Sequence, residues 1–574
     1  MHTVETVLLV LMLGALTGIA ARYVRAIPLP LIQIALGALI AWPQDGLHIA
    51  FDPELFLLLF IPPLLFADGW RIPKREFFAL AKPILLLAFG LVFITVFGLG
   101  YLIHWMIPSI PLTVAFALAA VVSPTDAVAV SAISRNLGMP SKTMHLLAGE
   151  SLLNDASGLV ARKFAVAATL TAGSFSWENA AKDFTWMSVG GLGLGALMGW
   201  GFSRGRDMVT RRVGDVAATQ MVLLLILLPF ASYIMGEYIG VSGILSAVAA
   251  GIATNFADLD RSNFISERLQ TEGTWSMVEA AFNGAIFLLL GLQLPSIIGE
   301  TLRGAAHRDV WLLLGYVAAI SCALLALRWA WLMLGVRSSL HKAHRQGRMV
   351  ERPSALLTLA TTVAGIRGAV TLAAALSIPT HLANGRVFPE RNLLIFLATG
   401  TILFTLVLGS IVLPLLLRRI PPVEDTQAQH EERLARTAAC QAAIASLALP
   451  EDQAQQHSAQ WLAQHQEVAG RITQEYRNRI QLLDESGVAN TPEAQSDSPE
   501  VVHERRLRYL REIELRLHCI QVERNTLYAE RQAHRINDEM LRSMVSELDM
   551  SEVSLRKRLA VARRAVGLPP LEGH

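Results

Sequence analysis

The sequence has few charged residues and almost no cysteine. Asp, Glu, Lys and Arg make up 17% of its 574 residues, whereas soluble proteins carry about a quarter. A net charge of +2 offers no strongly basic surface for nucleic acid. The three cysteines, Cys322, Cys440 and Cys519, lie far apart and fit neither a metal-site spacing nor a disulfide framework. These shortages exclude an ordinary soluble protein of this size, and we expect no resident metal or cofactor.

Two enzyme signatures are also missing. The chain contains neither His-Glu-x-x-His nor Gly-x-Ser-x-Gly, so an intramembrane hydrolase has little support and no enzyme is expected.

Apolar residues are abundant, at 53%, and they cluster in blocks of about 20, the length of a membrane-spanning helix. We therefore predict an all-α fold: a polytopic membrane domain of about 13 transmembrane helices over residues 1–420, followed by a soluble helical tail over 421–574. The predicted spans are 5–22, 27–43, 52–70, 83–106, 111–133, 144–173, 186–203, 216–235, 237–256, 273–297, 310–334, 355–378 and 391–417.

Basic residues follow the odd-numbered spans. Arg204, Arg206, Arg211 and Arg212 follow the seventh, for example, whereas loops after even-numbered spans hold few. Because cytoplasmic loops carry the Lys and Arg excess, the N-terminus is predicted outside, in the periplasm, and the tail in the cytoplasm. The first apolar block is too long for a signal peptide, so we interpret it as a retained span. No targeting extension is apparent, which favours a bacterial inner membrane.

The tail is rich in Glu, Arg, Leu and Ala at helical spacing. Two interpretations stay open for it, a helical bundle or coiled coil that only packs, and a segment for regulation or oligomerisation.

Ionisable side chains within the spans are rare. Each costs at least about 2.5–3.5 kcal/mol at the centre of a membrane helix, so it must face a cavity or a partner. They are Asp126, Glu150, Asp155, Arg162, Lys163, Glu279, Arg328 and Arg367. A purely structural bundle has no need of this set, and we expect some of its members to line a transport path.

Two spans are predicted to be interrupted. Pro124 breaks the fifth span just before Asp126, and Gly365 and Gly368 flank Arg367 in the twelfth. Freed backbone groups at membrane depth are tolerated where they line a cavity. Interrupted helices in corresponding halves indicate an inverted-repeat transporter with its site at the midplane. Asp126 either binds a cation beside unwound carbonyls or caps the second half-helix, or does both.

The sixth span carries the densest polar cluster. Ser151 and Asp155 are four residues apart, as are Glu150 and Asn154, so each pair shares a helix face. A desolvated carboxylate such as Asp155 can hold a proton or a cation but not both comfortably, which is the chemistry of an exchanger. We expect Glu150 to pair with the buried Arg367, leaving Asp155 free for the cargo.

Several motifs in 5–420 resemble the monovalent cation:proton antiporter family, the NhaP-type bacterial sodium/proton exchangers. They include FIPPLLFADGW, SPTDAVAV, GESLLNDASGLV and AGIRGAVTLAAAL. The resemblance implies a homodimer with a dimerisation domain and a moving core of crossed, broken helices. It implies that Asp155 is the carboxylate shared by proton and cation, that Thr125, Asp126 and Ser151 complete the Na⁺ site, and that Asn154 marks an electroneutral exchanger. Glu150 and Arg367 match a pair that holds the core together.

Five further residues are expected beside the site rather than in it. Many relatives have an acid where this chain has Ala67, and a shift of one residue to Asp68 rotates the group by about 100°. Glu279 and Asn283 share a face of the tenth span, either lining the path or contacting a neighbouring helix. Arg162, with Lys163 next to it, either stabilises the charged form of Asp155 from two helical turns away or pairs with Glu279.

The predicted function is therefore exchange of Na⁺ for H⁺ by alternating access, with Li⁺ or K⁺ as other cargoes. One rival is a K⁺-preferring exchanger. Another, of a different class, is a membrane sensor that signals through its tail; it predicts that Asp155 is dispensable and the tail essential.

Overall fold

The described residues fold almost entirely into helices. The structure is a computed structural model that describes residues 2–21, 23, 27–42, 58–134, 137, 139–170, 177–213, 218–257, 265–304, 310–345, 354–381, 387–420, 426–447, 458–483, 499–532 and 538–566. Within these ranges β pairing is limited to one bridge, between His381 and Val387. The all-α prediction is confirmed.

The chain divides into two compact units, Met1–Val423 and Glu424–His574. The helices of the first are α1 (His2–Ala20), α2 (Leu29–Ala41), α3 (Ile61–Arg71), α4 (Lys74–Ala79), α5 (Ala81–Leu85), a π-helix (Leu86–Leu91), α6 (Val92–Met106), α7 (Leu112–Val122), α8 (Ala127–Ser134), α9 (Ser141–Leu170), α10 (Trp177–Val213), α11 (Ala218–Ile239), α12 (Gly243–Ala257), α13 (Ile265–Gly304), α14 (Val310–Arg345), α15 (Ala355–Val363), α16 (Ala369–Leu376) and α17 (Arg391–Leu417).

Many of these helices are apolar enough to cross a membrane. In the described ranges six segments are also long enough; two of them, Ala81–Met106 and Leu112–Ser134, each combine successive helices. Three more, at Leu8–Ala20, Leu29–Ala41 and Gly243–Ala257, are shorter. The predicted third span, 52–70, begins outside the described residues. The total of about 13 spans stays a prediction.

The helices of the first unit pack into two groups. We call the first group the frame: α1, α2, α3, α10, α11, α12 and α13. We call the second the core: α4 to α9 with the π-helix, and α14 to α17. Frame helices approach closely at glycines. A side chain at Gly251 would overlap the backbone of Phe66, and one at Gly291 would overlap that of Ile34. Glycine at these positions lets the backbones of neighbouring apolar helices approach closely.

Two helices of the core are broken at the predicted places. The chain leaves helical conformation between α7 and α8, around Pro124, and between α15 and α16, around Gly365 to Gly368. The breaks meet, because the Asp126 N–H donates to the Ile366 carbonyl at 2.7 Å. A methyl group at residue 368 would overlap the Asp126 carboxylate, so glycine permits this approach. The prediction of crossed, broken helices is confirmed.

The second unit contains α18 (Thr426–Ser446), α19 (Ala459–Leu483), α20 (Pro499–Gln532) and α21 (Asp538–Ala565). The last two pack as an antiparallel pair. Leu510 and Ile513 of α20 contact Leu559 and Ala562 of α21, and nearer the connection Arg524 bonds Glu552.

Candidate cation site

The break between α7 and α8 is held in place by its own polar groups. Asp126 Oδ1 accepts the N–H groups of Val128 at 2.8 Å and Ala129 at 3.1 Å, so it caps α8. Ser151 Oγ, on α9, donates to the Thr125 carbonyl at 2.9 Å and accepts the Ala127 N–H at 3.2 Å. The freed backbone groups are thus partly satisfied by side chains.

Asn154 and Glu150, both buried, hydrogen-bond to Thr125 at the same break. Asn154 Nδ2 donates to Thr125 Oγ1 at 2.8 Å, and that hydroxyl donates to Glu150 Oε1 at 3.3 Å. Both α9 side chains are 1% exposed. The Thr125 hydroxyl is therefore fixed, and Asn154 positions the site instead of facing the cavity.

Asp155 differs from its neighbours. It is only 8% exposed, yet within the described residues its carboxylate takes no hydrogen bond, and it borders a cavity of about 480 Å³. A buried carboxylate without partners is costly unless a proton or cation occupies it. The cavity is lined by Ile61, Leu64, Leu65, Asp68, Arg71, Pro124, Thr125, Asp126, Val128, Ser131, Ser151, Asp155, Ser276, Glu279, Ala280, Asn283, Ile286, Phe287, Gly368, Val370 and Thr371.

The cavity lies between the core and the frame. The core contributes Thr125, Asp126, Ser151 and Asp155, which the sequence predicted would meet, and the frame contributes a facing wall from α3 and α13. Four carboxylates line it, and of these described lining residues Arg71 is the one basic side chain. Oxygen ligands and net negative charge suit a small hard cation.

Glu150 is paired with Arg328, and the predicted Glu150–Arg367 pair is wrong. Arg328, on α14, makes two hydrogen bonds to the Glu150 carboxylate, one of them from Nη2 to Oε2 at 2.7 Å, and both side chains are fully buried. Its Nε also donates to the Thr361 carbonyl at 3.2 Å. The bidentate guanidinium contact places one N–H on each oxygen of the carboxylate, and within the described residues Arg367 makes no hydrogen bond to it.

Arg367 satisfies backbone carbonyls instead. Its Nε donates to the Val122 carbonyl at 2.9 Å, and its Nη1 donates to that of Gly365. These carbonyls lie at the ends of α7 and α15, where the helix breaks leave acceptors without partners. Arg367 therefore joins the two breaks through the main chain.

Asp68 lies on the cavity wall, contrary to the expectation from its one-residue shift. The α3 residues that border the cavity are Ile61, Leu64, Leu65, Asp68 and Arg71, a spacing that defines one helix face. Ala67 is turned about 100° away from Asp68 around the helix and is buried in the cluster that contains Phe66 and Trp275 of the frame. On this helix, 68 is thus the position that faces Asp155.

The other residues expected beside the site have separate partners. Glu279 forms an ion pair with Arg71 at the cavity wall, and Asn283 lines the same cavity. The suggested Arg162–Glu279 pair is wrong, because Arg162 Nη1 donates to Ser377 Oγ at 2.8 Å. Lys163 pairs with Glu237 at 3.4 Å.

The sequence contained evidence for the positions of two of these residues, Arg328 and Asp68. Arg328 was visible as a buried ionisable residue, but sequence does not choose between two arginines for one carboxylate. The face of Asp68 could be read from its spacing to Ile61, Leu64 and Leu65 once the cavity-facing side of α3 was known.

Comparison with known proteins gives consistent matches. The family model for the transmembrane sodium/hydrogen exchanger matches residues 8–419. An uncharacterised Na⁺/H⁺ exchanger of Escherichia coli K12, YjcE, is 42% identical over 96% of this chain and 98% of its own length. A sodium, potassium, lithium and rubidium/H⁺ antiporter of Bacillus pumilus is 46% identical over 74% of this chain, a match that covers 64% of the Bacillus protein.

The fold also matches a solved structure. The sodium proton antiporter MjNhaP1 of Methanocaldococcus jannaschii superposes with a TM-score of 0.54 at 16% identity, over 73% of this chain and 99% of that one.

Proposed function

The chain belongs to the transmembrane sodium/hydrogen exchanger family, and from that premise we propose that it exchanges Na⁺ for H⁺ at Asp155 by alternating access. It is a transporter rather than an enzyme. The observation that carries the proposal is the carboxylate of Asp155, buried, free of protein hydrogen bonds and open to a cavity rich in oxygen atoms. A proton and a cation compete for such a group.

The cation is held by groups that the fold already orients. Asp126 uses Oδ1 as a helix cap, while Oδ2 takes no hydrogen bond within the described residues and remains for the cation. Ser151 and Thr125 line the same cavity as Asp155, and the Ser151 hydroxyl donates to the Thr125 carbonyl. Release of the proton from Asp155 opens the site to Na⁺, and the core then carries the loaded site past the frame. After Na⁺ is released, Asp155 binds a proton and the core returns.

Exchange is proposed to be electroneutral. Asn154 is uncharged and its amide is held by Thr125, so Asp155 is the group that exchanges a proton for a cation. One charge then moves in each direction, and the membrane voltage has little effect on the rate.

The cargo is proposed to include other monovalent ions. The Bacillus relative is named for sodium, potassium, lithium and rubidium, which supports testing Li⁺ and K⁺ beside Na⁺ and keeps a K⁺-preferring exchanger as the second candidate. The relatives named above are exchangers and antiporters, which does not favour a membrane sensor.

We place the protein in a bacterial inner membrane as a homodimer. The distribution of Arg and Lys supports a periplasmic N-terminus and a cytoplasmic tail. Exposed apolar side chains on α1, such as Leu8, Met12 and Leu16, give the frame a surface for lipid or for a second copy. The tail serves packing or regulation.

The decisive experiment measures proton flux in proteoliposomes under gradients of Na⁺, Li⁺ or K⁺. Wild type is compared with Asp155→Asn, and Asp183→Asn serves as the control because Asp183 is exposed and outside the cavity. We expect Asp155→Asn to insert normally and to lose exchange with every ion, while the control exchanges at the wild-type rate. Retained exchange in Asp155→Asn would refute the assignment.

A further inference from the structure

One ion pair joins the core to the frame away from the cavity. Lys163 of α9 lies 3.4 Å from Glu237 of α11, and both side chains are 40% exposed. Glu237 Oε1 also accepts the Gly243 N–H at 3.2 Å, at the start of α12. The carboxylate is thus fixed to the frame, while the ammonium belongs to the helix that carries Asp155.

This pair is at the end of the bundle opposite to Asp68 and Arg71. The C-terminal ends of α3 and α12 meet, since Lys74 Nζ donates to the Asn255 carbonyl at 2.7 Å and Asn255 Nδ2 donates to that of Ile72 at 2.9 Å. The helix α12 starts at Gly243, which is about 18 Å along the helix from Asn255 at that junction.

The direction of α9 agrees with this placement. Leu146 and Leu153, in its first half, pack against Phe77 and Leu80, which follow α3 in the chain. Lys163 is eight residues beyond Asp155, about 12 Å further along the helix and away from that end.

A second basic side chain, Arg162, is adjacent to Lys163 in the chain and more deeply buried. Arg162 is 8% exposed; its Nη1 donates to Ser377 Oγ, its Nε has no partner within the described residues, and it lies near the Tyr233 side chain of α11. Tyr233 and Glu237 are four residues apart and share a helix face. Two adjacent cations of the core therefore meet two adjacent groups of the frame.

We propose that these four residues, Arg162, Lys163, Tyr233 and Glu237, form a clasp that closes the route from Asp155 to the far side of the membrane and opens when the core moves. The cavity extends from Asp155 to Asp68 and Arg71, while the clasp bridges core and frame at the other end of the bundle. Outward access requires that the two groups separate there, so Lys163 and Glu237 part in each transport cycle. The inference rests on the proposed exchange function.

The test cross-links the clasp in the full chain, with Cys322, Cys440 and Cys519 replaced by Ser. In proteoliposomes, Lys163→Cys with Glu237→Cys is treated with a short bifunctional methanethiosulfonate reagent that dithiothreitol reverses. The control pair is Thr219→Cys with Gln270→Cys, which are exposed and in contact between α11 and α13 within the frame. Each single cysteine variant is treated in parallel.

We expect the clasp pair to lose Na⁺/H⁺ exchange on cross-linking and to regain it with dithiothreitol, while the control pair and the single variants keep exchanging. Continued exchange by a fully cross-linked clasp pair would overturn the proposal. Absence of Na⁺/H⁺ exchange in the wild-type protein, measured in the same proteoliposomes, would count against the proposed function instead.

A second readout does not depend on transport. Ser377→Cys is labelled from the clasp side with a membrane-impermeant maleimide, with and without Lys163→Gln. Loss of an ion pair of this exposure shifts the equilibrium about two- to fivefold, and we expect the labelling rate to rise by that factor. An unchanged rate would show that the pair does not hold the route closed.

Discussion

Breaking the buried ion pair between Glu150 and Arg328 should strongly destabilise the membrane unit. The change is Arg328→Met, which keeps much of the side-chain volume and removes the charge. It leaves the Glu150 carboxylate buried, with the Thr125 hydroxyl as its remaining donor among the described residues. It also removes the donor to the Thr361 carbonyl.

The magnitude follows from burial. The side chains are 2% and 1% exposed, so water does not screen the charge that remains. Removing one member of such a pair costs about 3–5 kcal/mol, because the other is left uncompensated, whereas replacing both by neutral groups costs much less. We expect Arg328→Met to lower the free energy of unfolding by about 3–5 kcal/mol, and Arg328→Met with Glu150→Gln to lower it by less.

The assay is equilibrium unfolding of the full chain in mixed micelles, titrated with a denaturing detergent. Four proteins complete the cycle: wild type, the two single variants and the double variant. Arg367→Met is measured beside them as a control. Arg367 donates to backbone carbonyls, so its loss leaves no buried carboxylate without its hydrogen-bonded partner. If the double variant loses the sum of the single losses, the two residues act independently and the reasoning fails.

Three further predictions test other parts of the structure. Gly368→Ala should abolish exchange while the protein still inserts, because the added methyl group overlaps the Asp126 carboxylate; a normal proton flux in proteoliposomes would contradict this. Asp68→Asn should raise the KM for Na⁺ several-fold and leave kcat nearly unchanged, since the residue lines the cavity from the frame and is not one of the groups proposed to bind the cation; initial rates over a Na⁺ series decide. In the tail, the hydrogen bond from Arg524 lowers the pKa of Glu552 below its usual 4.5, so this contact stabilises the α20–α21 pair fully above pH 4.5, and that stability is lost as pH falls from there through the lowered pKa. Proteolysis of the tail in the full chain should accelerate below pH 4.5, and Glu552→Gln should remove that step.

Much of the fold is dictated locally. Runs of apolar residues predict spans because a membrane helix must satisfy its backbone internally, and Pro124 and Gly365 predict breaks because they weaken helices wherever they occur. The cluster of Ser151 and Asp155 follows from helical spacing alone. Such properties depend on residues close together in the chain, so the sequence is sufficient for them.

Contacts between helices that are far apart in the chain do not follow from local sequence. Two buried arginines, Arg328 and Arg367, compete for Glu150, and both lie more than 170 residues away from it in the chain. The choice depends on which helix packs beside α9 and on which carbonyls the breaks leave open. The position of Asp68 depends in the same way on which face of α3 meets the core.

The sequence by itself determined that this is a membrane transporter with a buried carboxylate at Asp155 and two interrupted helices. The tertiary structure decided which cation neutralises Glu150, that Asp68 shares the cavity, and that Lys163 reaches Glu237 in the frame. Helix periodicity fixes which residues share a face, but the packing of helices far apart in sequence sets the rotation and depth of each, and those decide which charges meet.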